Sequence, residues 1–148
     1  MNARALLLVC LFGLACKAAE PEITPAMLRA QSPYDLGEDG VDVTVYPEAQ
    51  QRAYFSLRDR CSLCHPLARA VNFPARTEAE WGPYVTQMNM HSGKILLEAR
   101  QERQILDFLV FDSQRRKSSP AFTKELERLR ALWARVQKEK AARGEGKP

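Results

Sequence analysis

Histidine is scarce in this chain, with two residues among 148, and only four cysteines are present, two of them within the first sixteen positions. A structural zinc needs four ligands, and thiolate pairs usually come with a second Cys or His pair. Beyond His65, only His91 and the distant Cys16 are spare once a signal segment is removed, which disfavours zinc. Charge of one sign is lacking too. The net charge is +4, and no run of basic residues interleaved with aromatics appears, so nothing points to nucleic acid. Internal repeats are absent, and the length accommodates one domain with tails rather than two substantial cores.

The longest apolar run, Ala5 to Ala15, is too short to span a bilayer comfortably. It follows the short basic lead Met1-Asn-Ala-Arg4 and has the shape of a secretory signal. It ends in Gly13-Leu-Ala-Cys16, which suits ordinary signal peptidase and also resembles a bacterial lipobox, with Gly13 where Leu is usual. Lipidation of Cys16 would attach the protein to the membrane. A soluble periplasmic protein and an uncleaved anchor are the other outcomes. Each puts the domain outside the cytoplasm, in the periplasm or on its membrane face.

Residues 17–46 are rich in Pro, Gly and acids, a composition that reads as a tether or a strap over the domain. Within it, Val41-Asp-Val-Thr-Val45 alternates and predicts one short strand or extended segment. From Pro47 the pattern is helical. Pro47 sits at a plausible first helical position before Glu48, and Ala53, Leu57, Cys61 and Cys64 recur at helical spacing. Residues 66–76 read as loop. Thr77-Glu-Ala-Glu80 is a capping box opening a second helix through Trp81, Tyr84, Val85 and Met88, with Gly93 at its end. A third helix is predicted from about Leu96 to Phe111, with Ile105, Leu106, Phe108 and Leu109 on its buried side. After a polar break at 115–119, Pro120 starts a fourth. Its residues Phe122, Leu126, Leu129, Trp133 and Val136 form a heptad seam, best used by packing on its own domain. Residues 141–148 are expected to be disordered. The fold class is all-α.

The second half of the cysteine inventory is the motif Cys61-Ser-Leu-Cys64-His65. A redox dithiol normally stands at a helix N-terminus after a strand, within alternating β/α structure. Here the pair closes a helix and no parallel-sheet pattern surrounds it. A haem anchor explains all three residues: two thiols add to the haem vinyl groups, and the adjacent histidine becomes the proximal iron ligand. Secretion agrees, because c-type attachment occurs outside the cytoplasm. A sixth ligand is then wanted, and Met88, Met90 and His91 are available in the turn after an aromatic-bearing helix. Trp81 and Tyr84 read as packing for a haem pocket. The loop at Pro74 is a candidate source of a carbonyl for His65 Nδ1, and Arg69 and Arg76 are candidate partners of the propionates.

The C-x-x-C-H motif, the loop, Trp81-x-x-x-Val85-x-x-Met88 and the helix carrying Ile105-Leu106-x-Phe108-Leu109 together resemble the bacterial monohaem class I cytochrome c domain. The resemblance covers residues 47–112, leaving residues 17–46 as an acidic tether and 113–148 as a charged amphipathic helix and tail. It implies a small helical shell around one haem c, with Cys61 and Cys64 as thioether residues, His65 proximal and Met88 distal. Two features depart from the pattern. Pro66 stands where Gly often follows the histidine, and "MNMH" offers Met90 and His91 as rivals to Met88. The implied function is electron transfer with redox partner proteins rather than catalysis, as a carrier or as the cytochrome subunit of a periplasmic redox complex. Thirteen Lys or Arg against seven acids in residues 99–148 would suit an acidic partner. A haem sensor or peroxidase-like enzyme with an open sixth site is the alternative, with His91 as its acid or base. A thiol-disulfide oxidoreductase is a more distant one.

Overall fold

The computed structural model describes residues 21–91, 93 and 97–145. The signal segment and Cys16 lie outside the described residues. Those residues form six α-helices and one 3₁₀ turn, with no strand among them: α1 (Pro25–Arg29), the 3₁₀ turn (Pro33–Leu36), α2 (Glu48–Cys61), α3 (Ala68–Asn72), α4 (Glu78–His91), α5 (Ala99–Arg116) and α6 (Pro120–Ala142). The all-α class read from the sequence holds.

The packing of α2 on α5 is the centre of the fold, with α4 also packed on α5. Helix α2 buries Ala53, Tyr54 and Leu57, three residues on one stripe, and α5 answers with Ile105, Phe108 and Leu109. Each such side chain taken out of water contributes about 1.5–3 kcal/mol. Pro47 is the cap of α2 rather than its first helical residue: its extended backbone leaves the carbonyl to accept from Gln50 and Gln51 at 2.8 and 3.0 Å. The capping box of α4 forms. Thr77 Oγ1 accepts from the Glu80 backbone N–H at 3.3 Å, and the Glu80 carboxylate accepts from the Thr77 N–H at 2.9 Å. Trp81, with no exposed surface, packs against the stacked pair Phe73 and Tyr84 and donates its indole N–H to Ser113 Oγ at 3.1 Å.

Helix α6 packs on its own chain, against the 3₁₀ turn and α1. Its buried stripe is Phe122, Leu126, Leu129, Leu132 and Val136. Leu132 is therefore inside where Trp133 was expected. The indole of Trp133 stays half-buried under the Lys140 ammonium, 5.3 Å from the ring centroid. A straight helix drifts out of a 3.5-residue repeat, so a seam of this length turns onto the neighbouring column.

Three segments depart from the predicted elements. The loop after His65 contains α3, whose residues Ala68, Ala70, Val71 and Asn72 are all buried. The alternation at Val41–Val45 makes no strand. Asp42 accepts from the Thr44 N–H and hydroxyl, which folds the segment into a turn, and Val43 enters the core while Val45 faces water. Finally, residues 24–46 carry two capped helical turns, Thr24 before Pro25 and Ser32 before Pro33. They lie over α3 and α6 as a strap. Tyr46 closes the strap, its hydroxyl donating to buried Asp112 at 2.9 Å. Burial and the Asp112 charge push that phenol up to about 12.

Candidate functional site

Cys61 is the last residue of α2, and the chain then turns through Ser62–Cys64 to reach His65 and Pro66. Ser62 ends the helix by donating its backbone N–H and its hydroxyl to the Arg58 carbonyl. Cys61 is half-buried and Cys64 exposed, and both are free thiols. Burial, assisted by neighbouring Cys64, pushes the Cys61 thiol up to about 11. The location at a helix C-terminus works in the same direction, since the partial negative charge there opposes a thiolate.

His65 Nδ1 lies 2.9 Å from the Pro66 carbonyl oxygen. A carbonyl only accepts, so Nδ1 carries a proton, and in the neutral ring that leaves the Nε2 lone pair for a metal. The acceptor is the residue directly after His65; the carbonyl contact sought near Pro74 is supplied from Pro66 instead. His91 is prepared in the same way, with Nδ1 2.7 Å from the Gln87 carbonyl one helical turn back.

Two cavities share a wall made by Cys64 and His65. The smaller, of about 130 Å³, is bordered by Cys61, Cys64, His65, Met88, Asn89 and His91. The larger, of about 590 Å³, opens on the strap side, where Met27, Asp35, Asp39 and Arg69 face the motif. Helix α4 runs through His91, so the three candidate sixth ligands lie on its last turn rather than in a loop beyond it. Helical spacing then sorts them. Met88 and His91, three residues apart, share the face that borders the smaller cavity, while Met90 is 76% exposed on another face.

The residues bordering the smaller cavity are of the types a covalently attached haem would use: two thiols, a histidine, and a thioether or second imidazole. Its volume falls below the roughly 300–1,000 Å³ usual for cofactor sites. A macrocycle seated there has to displace one wall. Among the described residues no three His, Cys, Asp or Glu side chains converge to hold a metal ion by themselves. An iron at His65 would accordingly depend on a porphyrin for most of its bonds.

The polar surroundings of the motif were only partly visible in the sequence. Arg69, a candidate propionate partner, is committed elsewhere: its Nε and Nη2 donate to the two oxygens of Asp35 at 2.7 Å each. Asp35 is nearly fully buried, and accepts also from the Gln31 and Ser32 N–H groups. The Arg76 backbone N–H donates to Glu80. Arg60, at the end of α2, is the cation that borders the smaller cavity. Asn89 was not singled out by any motif, yet its side-chain oxygen accepts from the Leu97 N–H at 2.7 Å and ties the two ends of the 91–97 connection together. No helix among the described residues is long and apolar enough to cross a membrane. No family model, curated protein or solved structure matches the chain.

Proposed function

We propose that this chain is a c-type cytochrome that carries single electrons. The observation that carries the reading is the shared border of one cavity: Cys61, Cys64, His65 and Met88 all line it. Cys61 and Cys64 would hold one haem c through thioether bonds, His65 Nε2 would be the proximal ligand and Met88 the distal one. Bound haem supplies a ferric/ferrous couple. The protein's part is to fix the ligands, exclude water and present a docking surface. If His65 and Met88 both held the iron, no site would remain for a substrate, which would suit a carrier or an electron-transfer subunit rather than a catalyst. The basic C-terminal half favours an acidic redox protein as partner, and the N-terminal signal favours the periplasm, with Cys16 as a lipid anchor.

The thiol-oxidoreductase alternative draws no support from Cys61, whose position at the end of α2 disfavours the thiolate that such chemistry uses. A second ligation has a specific observation behind it. His91 borders the same cavity with its Nδ1 already engaged by Gln87, so a bis-imidazole iron is the rival to His/Met. It would lower the potential, because a thioether favours ferrous iron relative to imidazole.

Oxidised and reduced absorption spectra of the mature protein, made in a bacterium with haem c maturation machinery, test the reading. Sharp reduced bands with a weak far-red ferric charge-transfer band, lost in Met88→Ala, are expected. Haem without that band selects His91. Rapid, complete carbon monoxide binding selects the sensor or peroxidase-like enzyme, and a mature protein with two free thiols and no haem sinks the proposal.

A further inference from the structure

The region outside the cytochrome resemblance, residues 31–39, is bonded to the segment that follows the proximal histidine at three successive points. Asp39 Oδ1 accepts from the Ala68 N–H at 2.7 Å, capping α3 from 29 residues upstream. Asp35 takes Arg69 in a two-pronged ion pair. The buried Asn72 amide donates to the Tyr34 and Glu38 carbonyls at 3.3 and 3.0 Å, and to the Ala68 carbonyl of its own helix at 2.8 Å. Gly37 lets the backbone come this close: a Cβ there would lie 2.4 Å from the Asn72 amide nitrogen. Helix α3 is only five residues long and lacks a side-chain cap of its own, so it does not hold its position by itself. Pro66, whose carbonyl orients the His65 ring, stands two residues before Ala68.

We propose that Asp35 and Asp39 are positioning residues for the iron site, and that the strap sets the redox potential through the His65–Pro66 contact. The inference rests on the reading that His65 binds haem iron. A carbonyl held on Nδ1–H makes the imidazole a stronger donor and stabilises the ferric state. Freeing α3 from the strap loosens the Pro66 carbonyl, weakens that donor and raises the potential. The strap is thereby part of the electron-transfer apparatus, although it contributes no ligand.

The experiment is potentiometric titration of the full mature chain, haem attached, alongside Asp35→Asn, Asp39→Ala and Asp39→Asn. Val136→Ala, buried in α6 outside both cavities, is the control for simple loss of stability. Asp35→Asn and Asp39→Ala are expected to raise the potential with haem content and axial-ligand bands unchanged. Asp39→Asn, which keeps an oxygen acceptor for the Ala68 N–H, returns the potential to that of the parent. Val136→Ala lowers thermal stability and leaves the potential alone. Parental potentials in both Asp35→Asn and Asp39→Ala overturn the inference and leave the cytochrome reading standing. A parent chain without haem overturns both. If Asp35→Asn does not fold, the Asp39 pair decides by itself.

Discussion

The α2–α4–α5 core and the strap with α3 are held by different physics. The first is apolar and aromatic: Leu57, Trp81, Ile105, Phe108 and Leu109 are each exposed by 3% or less and form one cluster. The second adds directed polar bonds, Asp35 to Arg69, Asp39 to Ala68 and Asn72 to two carbonyls; α1 and the 3₁₀ turn bury no residue of their own, while α3 joins the apolar cluster through Ala70 and Val71. Hydrocarbon burial is non-directional and tolerates small displacements. Buried hydrogen bonds are not tolerant, since each partner left unpaired costs about 1–3 kcal/mol. One region supplies cohesion, and the other supplies position.

The largest break in that comparison should come from the core. Trp81→Ala removes the most buried large side chain and leaves the Ser113 hydroxyl without its indole partner. A loss of about 3–5 kcal/mol is expected, read as a lower denaturant midpoint. Asp35→Ala attacks the other region. It strands Arg69, whose side chain is 20% exposed, and two backbone donors, and should cost about 3 kcal/mol. The helical circular dichroism spectrum of the α2, α4, α5 and α6 helices should survive it. Equal collapse of both variants would mean that the strap is cohesive core after all.

Gly37→Ala is expected to cost less, about 1–3 kcal/mol, by pushing the Asn72 amide off its carbonyls. Gly37 has φ −91°, which any residue adopts. The effect is therefore steric, and Gly37→Ala combined with Asn72→Ala should destabilise no more than Asn72→Ala alone, a coupling that urea titrations of the double-mutant cycle measure.

Lys117 sits where the two regions meet. Its side chain is completely buried, with Nζ donating to the Phe73 carbonyl at 2.7 Å and lying 4.7 Å from the Trp81 ring centroid. Burial pushes its ammonium down to about 7. Between about pH 7 and pH 9 the unfolded chain binds this proton and the folded chain does not, so unfolding takes up a proton and stability rises with pH. Tyr46, pushed up to about 12, acts in the opposite direction, and only above the ordinary phenol value of about 10, where the unfolded chain ionises first. The melting temperature should therefore climb from pH 7 to pH 9, and the climb should flatten in Lys117→Met. A flat parent profile would show the lysine to be charged and fully compensated where it lies. The smallest effect belongs to Arg128→Ala, which opens an exposed pair with Glu125 and should change stability by no more than about 0.5 kcal/mol in thermal melts.

Much of the core was legible in the chain because it depends on local periodicity. The stripe Ala53–Leu57, the capping box at Thr77–Glu80 and the seam of α6 each lie within one helix, where a 3.6-residue repeat decides which side chain faces in. The strap was less legible for the same reason. Pro, Gly and acidic residues in its sequence describe a segment poor in hydrocarbon, and the two caps at Thr24 and Ser32 are short signals without an apolar stripe behind them. The bonds of its acids leave no local signal because their partners, Arg69 and the Ala68 N–H, lie 34 and 29 positions away.

For the candidate site the division is equally physical. The sequence alone determined an all-helical chain and the juxtaposition of Cys61, Cys64 and His65, since covalent neighbours need no folding to be brought together. It also confined the sixth-ligand candidates to Met88, Met90 and His91. Tertiary structure decided that Met88 and His91 border the cavity beside the motif and Met90 does not, because that choice depends on where α4 ends and which face of it packs on α5. It alone placed the strap beside the segment that follows His65. Hydrogen bonds between side chains and distant backbone groups have no sequence period, and only the folded chain brings their two ends within 3 Å.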